Sequence, residues 1–338
     1  MQMRKVVTLK DIAERAGTSI NTVSKALRNH PQISEKKKKE ILQLAEEMHY
    51  IPNIAAKNLR HRKTNFIGLI VGDNTNPYFA RIINIVQKKL KEKNYYTLVF
   101  NNNENVEDEL GLIRELCGLN VEAVLLTPAR GNSQSVSLLR RFRIPYVLMN
   151  RYIEKGKDNY VVANDEQAGY LATRHLLARK PRQTMLINYF DSVSTAVERQ
   201  KGYERALIEY GIQPNSEWVS YGCMGREEGF EAMTKMLHKQ KPPFSVLCYN
   251  DYIALGAMSA LYGYQYKIPE EVAVMGIDNA ECYSIGSYGL STINIPIDEI
   301  AEKSVELLME LIRQQGNAQQ PEPKQIVVEP GLVVRQTT

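Results

Sequence analysis

The sequence predicts an α/β protein: a body of two doubly wound parallel-sheet subdomains behind an all-α helix-turn-helix headpiece. Three observations carry this expectation. Thr8–Lys25, TLKDIAERAGTSINTVSK, reads as two short helices broken by Gly17. From Phe66 onward, short apolar runs alternate with amphipathic helical segments, the pattern of parallel sheets covered on both faces. The charge is also uneven. Of 43 Lys/Arg and 38 Asp/Glu, residues 1–64 hold 14 and 6, a net of +8, leaving 29 minus 32, or −3, for the rest. A cationic front and a mildly acidic body suit a module that neutralises phosphates joined to one that does not.

In the first 52 residues, Leu9, Ile12, Ala13 and Ala16 recur at helical spacing, then Val23, Ala26 and Leu27. Gly17 is expected where a side chain would crowd the crossing helices. Thr18 and Ser19 supply hydroxyls to cap the second helix. Ser19, Ile20, Asn21, Ser24 and Lys25 then lie near its exposed amino-terminal face, where groove-reading side chains sit. Thr8, Thr22 and Asn53 complete the candidate DNA contacts along this module. Ser34 is expected to cap a third helix to about Met48, with Ile41, Leu42, Ala45 and Met48 as its buried stripe. Lys36–Lys39 opens that helix against its dipole; a solvated face and nearby phosphates both account for it. Pro52 and Asn53 then start a segment of about two turns, too short to persist alone in water. It runs as a hinge helix and linker over residues 53–64.

The body runs from 65 to 338. Its expected strands are Phe66–Val71, Tyr96–Phe100, Ala123–Leu126 and Tyr146–Met149, after which the rhythm restarts at Val161–Ala163. Thr184–Ile187, Trp218–Tyr221, Ser245–Tyr249 and Val272–Ile277 continue it, with helices between. Ligands of open parallel sheets bind beyond the carboxyl ends of the strands. Asp73, Asn150 with Arg151, Asn250 and Asp278 stand there, and Tyr78 and Phe79 offer rings. Amides and carboxylates with a few aromatics suit a small polyhydroxylated ligand. A single Asn or Asp at such a place also serves as a helix cap.

Other classes find little support. No G-x-G-x-x-G, P-loop or G-x-S-x-G elbow occurs, so no catalytic residue or cofactor is assigned. Cys117, Cys223, Cys248 and Cys282 are scattered core fillers rather than a metal or redox set. No apolar run approaches the roughly 20 residues that span a bilayer. The start, MQMRKVVTLK, has no signal-peptide core, so a cytoplasmic, bacterial-type location is expected, nucleoid-associated when DNA is bound.

With these residues in view, the chain resembles the lactose/galactose repressor family (LacI/GalR) along nearly its full length. The headpiece stretch carries the likeness, together with Tyr50-Ile51-Pro52-Asn53, Arg199-x-x-Gly202, Asn250-Asp251-x-x-Ala254-x-Gly256-Ala257, Gly276-Ile277-Asp278-Asn279 and Gly331-Leu332-Val333-Val334-Arg335. The resemblance implies a periplasmic-binding-protein-like body that dimerises, with two headpieces on one palindromic operator. It implies an N-subdomain of about 65–163 plus 294–325 and a C-subdomain of about 164–293 plus 326–338. Ile20, Asn21 and Lys25 would face bases, Lys25 giving a single ammonium where the family more often has a guanidinium fork. Leu59, with Ala56 beside it, matches the leucine wedged into the minor groove at the operator centre. Tyr78, Phe79, Asn150, Arg199, Asn250 and Asp278 correspond to effector contacts, and Asp73 joins them by position. Arg199 would reach into the cleft from a helix beginning near Ser192; the alternative is a surface pair with Glu198 or Glu204. Met224 stands where many sugar-binding members have an aromatic. Nothing heptad-like follows Arg335, so the tail that pairs dimers in the lactose repressor is not expected. The resulting expectation is a homodimeric repressor controlled by a sugar-like effector, with operator DNA as partner and no membrane or metal. The alternatives are a purine-like corepressor or, in another class, a solute-binding protein.

Overall fold

In a computed structural model of the chain, the described residues are 7–51, 64–130, 133–179, 183–280, 289–315 and 322–338. They fall into two compact units, Met1–Thr64 and Asn65–Thr338.

The first unit holds α1 (Leu9–Arg15), α2 (Ile20–Leu27) and α3 (Glu35–Glu47). Thr8 and Asp11 cap α1 reciprocally, each side chain taking the other's backbone N–H, so both orphan donors are satisfied. Ser19 caps α2 at the Thr22 amide and Ser34 caps α3 at the Lys37 amide. Ile12, Val23 and Ile41, each fully buried, meet in the middle with Ala13, Ala26 and Ala45. Gly17 makes the turn at φ +57, and no heavy atom lies within 4 Å of where a Cβ would stand. The glycine is therefore required by its left-handed backbone, not by crowding between the helices as expected. Leu42 is also corrected: it is 49% exposed, because Ile41 and Ala45 already fill the stripe with half-buried Leu44 and Met48. Two of the four lysines of α3 are used internally. Lys37 donates to the Ala16 carbonyl (3.0 Å) and Glu40, and the buried Lys38 pairs with Glu35 at 2.7 Å. Lys36 and Lys39 stay exposed. The hinge candidates Asn53, Ala56 and Leu59 lie outside the described residues.

The second unit contains two six-stranded sheets. Its elements in chain order begin with β1 (Phe66–Val71), α4 (Pro77–Glu92), β2 (Tyr96–Asn101), α5 (Val106–Gly118), β3 (Ala123–Leu126) and α6 (Gln134–Arg141). Then follow β4 (Tyr146–Met149), β5 (Tyr160–Ala163), α7 (Asp165–Ala178), β6 (Thr184–Ile187), α8 (Ser194–Glu209), β7 (Val219–Ser220) and α9 (Arg226–Lys239). β8 (Phe244–Cys248), α10 (Asp251–Gly263), β9 (Val272–Asp278), β10 (Ser291–Asn294), α11 (Ile297–Gln314), β11 (Gln325–Val328) and β12 (Gly331–Val333) complete it.

The first sheet runs β11-β5-β4-β3-β1-β2 and every pairing in it is parallel. The second runs β12-β10-β9-β8-β6-β7, parallel except where β12 meets β10. β5, read from the sequence as the start of a second series, closes the first: Leu148 pairs with Tyr160 and Met149 with Val161. The chain passes between the lobes three times, after Ala163, Asn294 and Val328. The third passage lies beyond the 325/326 border expected, because β11 keeps its ladder with β5 through Val328↔Ala163 before β12 joins β10. Apolar strands buried on both faces make the core of each lobe, as βαβ crossovers require. Cys223 and Cys248 are buried in the second lobe and Cys117 is half-buried in the first, while Cys282 lies outside the described residues.

Candidate functional site

The first unit offers the amino-terminal end of α2. Ile20, its first helical residue, is 47% exposed, an unusual place for an isoleucine in so small a unit. Asn21 is exposed beside it, with Ser24 and Lys25 half-exposed one turn on. Lys25 Nζ donates to Gln32 Oε1 at 2.7 Å. Thr8, Ser19 and Thr22 carry structural roles: Thr8 holds Asp11 at 2.7 Å, and the Ser19 and Thr22 hydroxyls share a hydrogen bond at 2.9 Å. An exposed branched alkyl group next to an amide suits a base edge presenting a methyl and a donor–acceptor pair.

The second unit carries a cavity of about 290 Å³ at the carboxyl ends of the strands of both sheets. All seven effector candidates line it: Asp73, Tyr78, Phe79 and Asn150 from the first lobe, Arg199, Asn250 and Asp278 from the second. Tyr78 donates to Asn150 Oδ1 (2.9 Å), and the Asn150 amide donates to Thr127 (3.2 Å), so its acceptor is held on a buried relay. Asp73 folds back on the Thr75 amide and hydroxyl, leaving it partly engaged. Asn250 both lines the cavity and caps α10 through the Ile253 amide.

Arg199 sits at the centre. Its Nε donates to Asp165 at 2.8 Å, Nη1 to the Tyr249 carbonyl, and Nη2 lies 3.7 Å from Asp278. Neither Glu198 nor Glu204 is its partner; they take Lys201 and Gln200. Burial pushes the Asp165 and Asp278 carboxyls up, Asp278 well above the usual range, while Arg199 holds both down. Burial works against the Arg199 charge, yet Asp165, Tyr249 and Asp278 outweigh it and the guanidinium stays ionised. The backbone is unusual here too. Asp278 has φ 124, a conformation that a non-glycine residue holds only when the surroundings impose it, while Asn150 (φ 65) and Asn279 (φ 55) take the left-handed turn that asparagine adopts readily.

Helix packing seats Arg199. Gly169 of α7 faces the backbone of α8 at Arg199, where a Cβ would stand 2.8 Å from the carbonyl carbon, and Gly202 of α8 faces Glu166 reciprocally. Only paired glycines let the two helices approach so closely.

Sequence reasoning missed Glu104, Asp165, Tyr189, Thr195 and Tyr249, all of which line the cavity, and did not carry Arg151 from the strand end into the site. Arg151 pairs with Glu104 at 2.8 Å, both nearly buried. Tyr189 and Tyr249 stack on each other at 5.0 Å and 18°, and Met224 stands 49% exposed on the rim. Asp165 and Tyr189 each stand two residues past an expected strand end, the same offset as Asp73, so the strand-end rule reaches them; Tyr249 is the last residue of its expected strand. Glu104, farther from its strand end, has no comparable local signal. Among the described residues, no group of three His, Cys, Asp or Glu side chains is placed to hold a metal ion. No described helix is long and apolar enough to cross a membrane.

A family model of bacterial regulatory proteins of the lacI family matches residues 8–53. One of periplasmic binding proteins and the sugar-binding domain of the LacI family matches residues 64–331. The chain belongs to the LacI family. A relative across the full length is the HTH-type transcriptional repressor PurR of Pasteurella multocida (strain Pm70), 31% identical over 98% of each chain. Among solved structures, a CelR–cellobiose complex is 25% identical with TM-score 0.75, over 98% of this chain and 100% of that one. The lac repressor dimer bound to operator and the anti-inducer ONPF shares the fold at TM-score 0.87, with 24% identity over 99% of each. As a LacI-family member the chain is a ligand-responsive, DNA-binding transcriptional repressor, not an enzyme. That membership gives the two units their division of labour: a DNA reader and a ligand sensor.

Proposed function

We propose that the protein represses transcription as a homodimer on a palindromic operator, with a small polyhydroxylated, sugar-like effector in the cleft setting its DNA affinity. The observation that carries this is the cavity itself. It draws Asp73 and Asn150 from one lobe and Arg199, Asn250 and Asp278 from the other, so a bound ligand bridges both. Acceptors and donors of both kinds around a mostly buried space suit several hydroxyls at once. A ligand that touches both lobes changes the angle between them. That angle sets the separation of the two hinge segments, residues 53–64, in the dimer. Drawn together, they fold on DNA and insert Leu59, with Ala56 and Asn53 beside it; held apart, they release. A coupling of about 1–3 kcal/mol gives roughly 5- to 150-fold control. Thr8, Ser19, Ile20, Asn21, Thr22, Ser24 and Lys25 form the reading face. Such a repressor works where the chromosome is, in the cytoplasm, and associates with the nucleoid when bound.

The PurR relatives favour a second reading, a purine corepressor. Against it, Tyr189 and Tyr249 stack on each other, leaving no ring-sized slot between them. Guanidiniums also lie over both rings, Arg199 at 4.5 Å from Tyr249 and Arg151 at 5.9 Å from Tyr189. The test is thermal unfolding of the full chain against neutral sugars, sugar derivatives and purine bases. At 100 times its dissociation constant the true effector adds about 2.7 kcal/mol. A shift only with purines refutes the sugar reading. For the hinge, Leu59→Ala should weaken operator binding far more than nonspecific binding; equal losses on both DNAs would remove the wedge.

A further inference from the structure

A second cavity, of about 470 Å³, abuts the effector cleft, and Arg151 lines both. The first turn of α8 is shared in the same way. Thr195 lines the cleft, while Ser192 and Ser194 line the second cavity. On the opposite lobe, Asn150 faces the cleft and Tyr152 the neighbouring space. The two spaces thus meet across Arg151 and the start of α8.

The charge of the second cavity does not cancel. Glu198 is taken by Lys201 and the Tyr152 hydroxyl, each at 2.9 Å, and Glu154 by Lys157. Arg130 has no carboxylate partner among the described residues; its guanidinium lies 3.8 Å over the Phe190 ring. Helix α8 opens with no side-chain cap and no acid in its first turn, so its leading amides and its dipole are uncompensated. Arg151 adds an independent sign. It is 7% exposed, its Nη1 serves Glu104 and the Pro128 carbonyl, and its buried Nε has no hydrogen-bond partner among the described residues. A buried, charged N–H left unpaired is costly, and a ligand oxygen is what would satisfy it.

We propose that the effector is an acidic sugar. Its hydroxyls occupy the cleft, and a phosphomonoester or carboxylate sits between Arg130, Arg151 and the first turn of α8. This rests on the sugar reading above and deepens it. The anion accepts from the Arg151 guanidinium, which turns its unpaired N–H toward it, and from the leading α8 amides, with the Arg130 charge alongside. Arg130 and Arg151 belong to the first lobe and α8 to the second, so the anion joins the lobes and adds to the coupling.

The test begins with inorganic phosphate as the probe, titrated into the full chain by calorimetry at ionic strength fixed with chloride. The basic headpiece also takes up phosphate, so the comparison with Arg130→Gln isolates the cavity. Arg130 is half-exposed, and an unchanged melting temperature without phosphate confirms that the variant folds. A phosphate-binding phase at least fivefold weaker in Arg130→Gln and in Arg151→Lys is expected; identical isotherms overturn the proposal. A second arm compares neutral sugars with their phosphates and uronates, which also separates phosphate from carboxylate. The acidic member should bind best and lose at least tenfold in Arg130→Gln, with the neutral parent unaffected. A neutral sugar that binds as tightly as its acidic forms overturns this inference and leaves the sugar reading standing. Binding of purines alone overturns the sugar reading itself.

Discussion

Replacing Arg199 by lysine keeps the charge and removes the fork. The guanidinium serves Asp165, the Tyr249 carbonyl and, more distantly, Asp278, all in a space where Arg199 is 5% exposed. One ammonium cannot reach three acceptors set for a planar group, so at least one charge-assisted hydrogen bond is lost, worth about 1.5–3 kcal/mol. The retained charge keeps the cost below the roughly 3–5 kcal/mol of leaving buried carboxylates with no cation at all. The expectation is therefore a loss of about 2 kcal/mol for Arg199→Lys and a larger one for Arg199→Ala. The single tryptophan, Trp218, packs on the second-lobe core and reports its unfolding in urea. Effector response should be lost in Arg199→Lys, while operator binding without effector persists. A variant within 0.5 kcal/mol of the parent by the same extrapolation, with full effector response, would show that the guanidinium fork is dispensable.

Three further outcomes follow from the packing. Gly169→Ala puts a methyl against the Arg199 backbone, which should cost about 1–3 kcal/mol by overpacking and weaken effector binding; unfolding and ligand titration check it. Gly17→Ala meets open space but a left-handed backbone, so the headpiece should lose about 1 kcal/mol. Gly17→Asn should recover part of that, read as headpiece melting. Asp251, buried against Thr292 and the Ala280 amide, has its carboxyl pushed up by burial to about 7. A carboxyl raised on folding favours the native state fully below its ordinary pKa near 4, and this contribution is lost as pH rises through about 7. Its ceiling is about 4 kcal/mol. Asp251→Asn should flatten that decline between about pH 4 and 7; parallel profiles would show the carboxyl ionised in the fold throughout.

Much of the fold was readable because burial writes itself into apolar runs: β1, β3, β4 and β6 match their sequence bounds to the residue. Asp73, Asn150, Asn250 and Asp278 were legible because strand ends of parallel sheets converge, whereas Arg199, inside α8, was reached only through the family resemblance. What escaped was set by distance. β11 and β12 lack long apolar runs and owe their existence to ladders with β5 and β10. Nothing local announces that Arg199 will find Asp165, or Arg151 Glu104. Leu42 misled because a helical stripe wide enough for four residues met a unit small enough to fill with fewer. Lys37 misled in the opposite sense, as a basic residue that serves the Ala16 carbonyl.

The most direct test is fluorescence anisotropy of full-length protein on a palindrome selected from a random pool, at modest ionic strength, with and without saturating effector. Specific binding that the effector changes by roughly 5- to 150-fold is expected, with nonspecific DNA little affected. Failure to select any palindrome, or an operator affinity indifferent to a ligand shown to occupy the cleft, would contradict it.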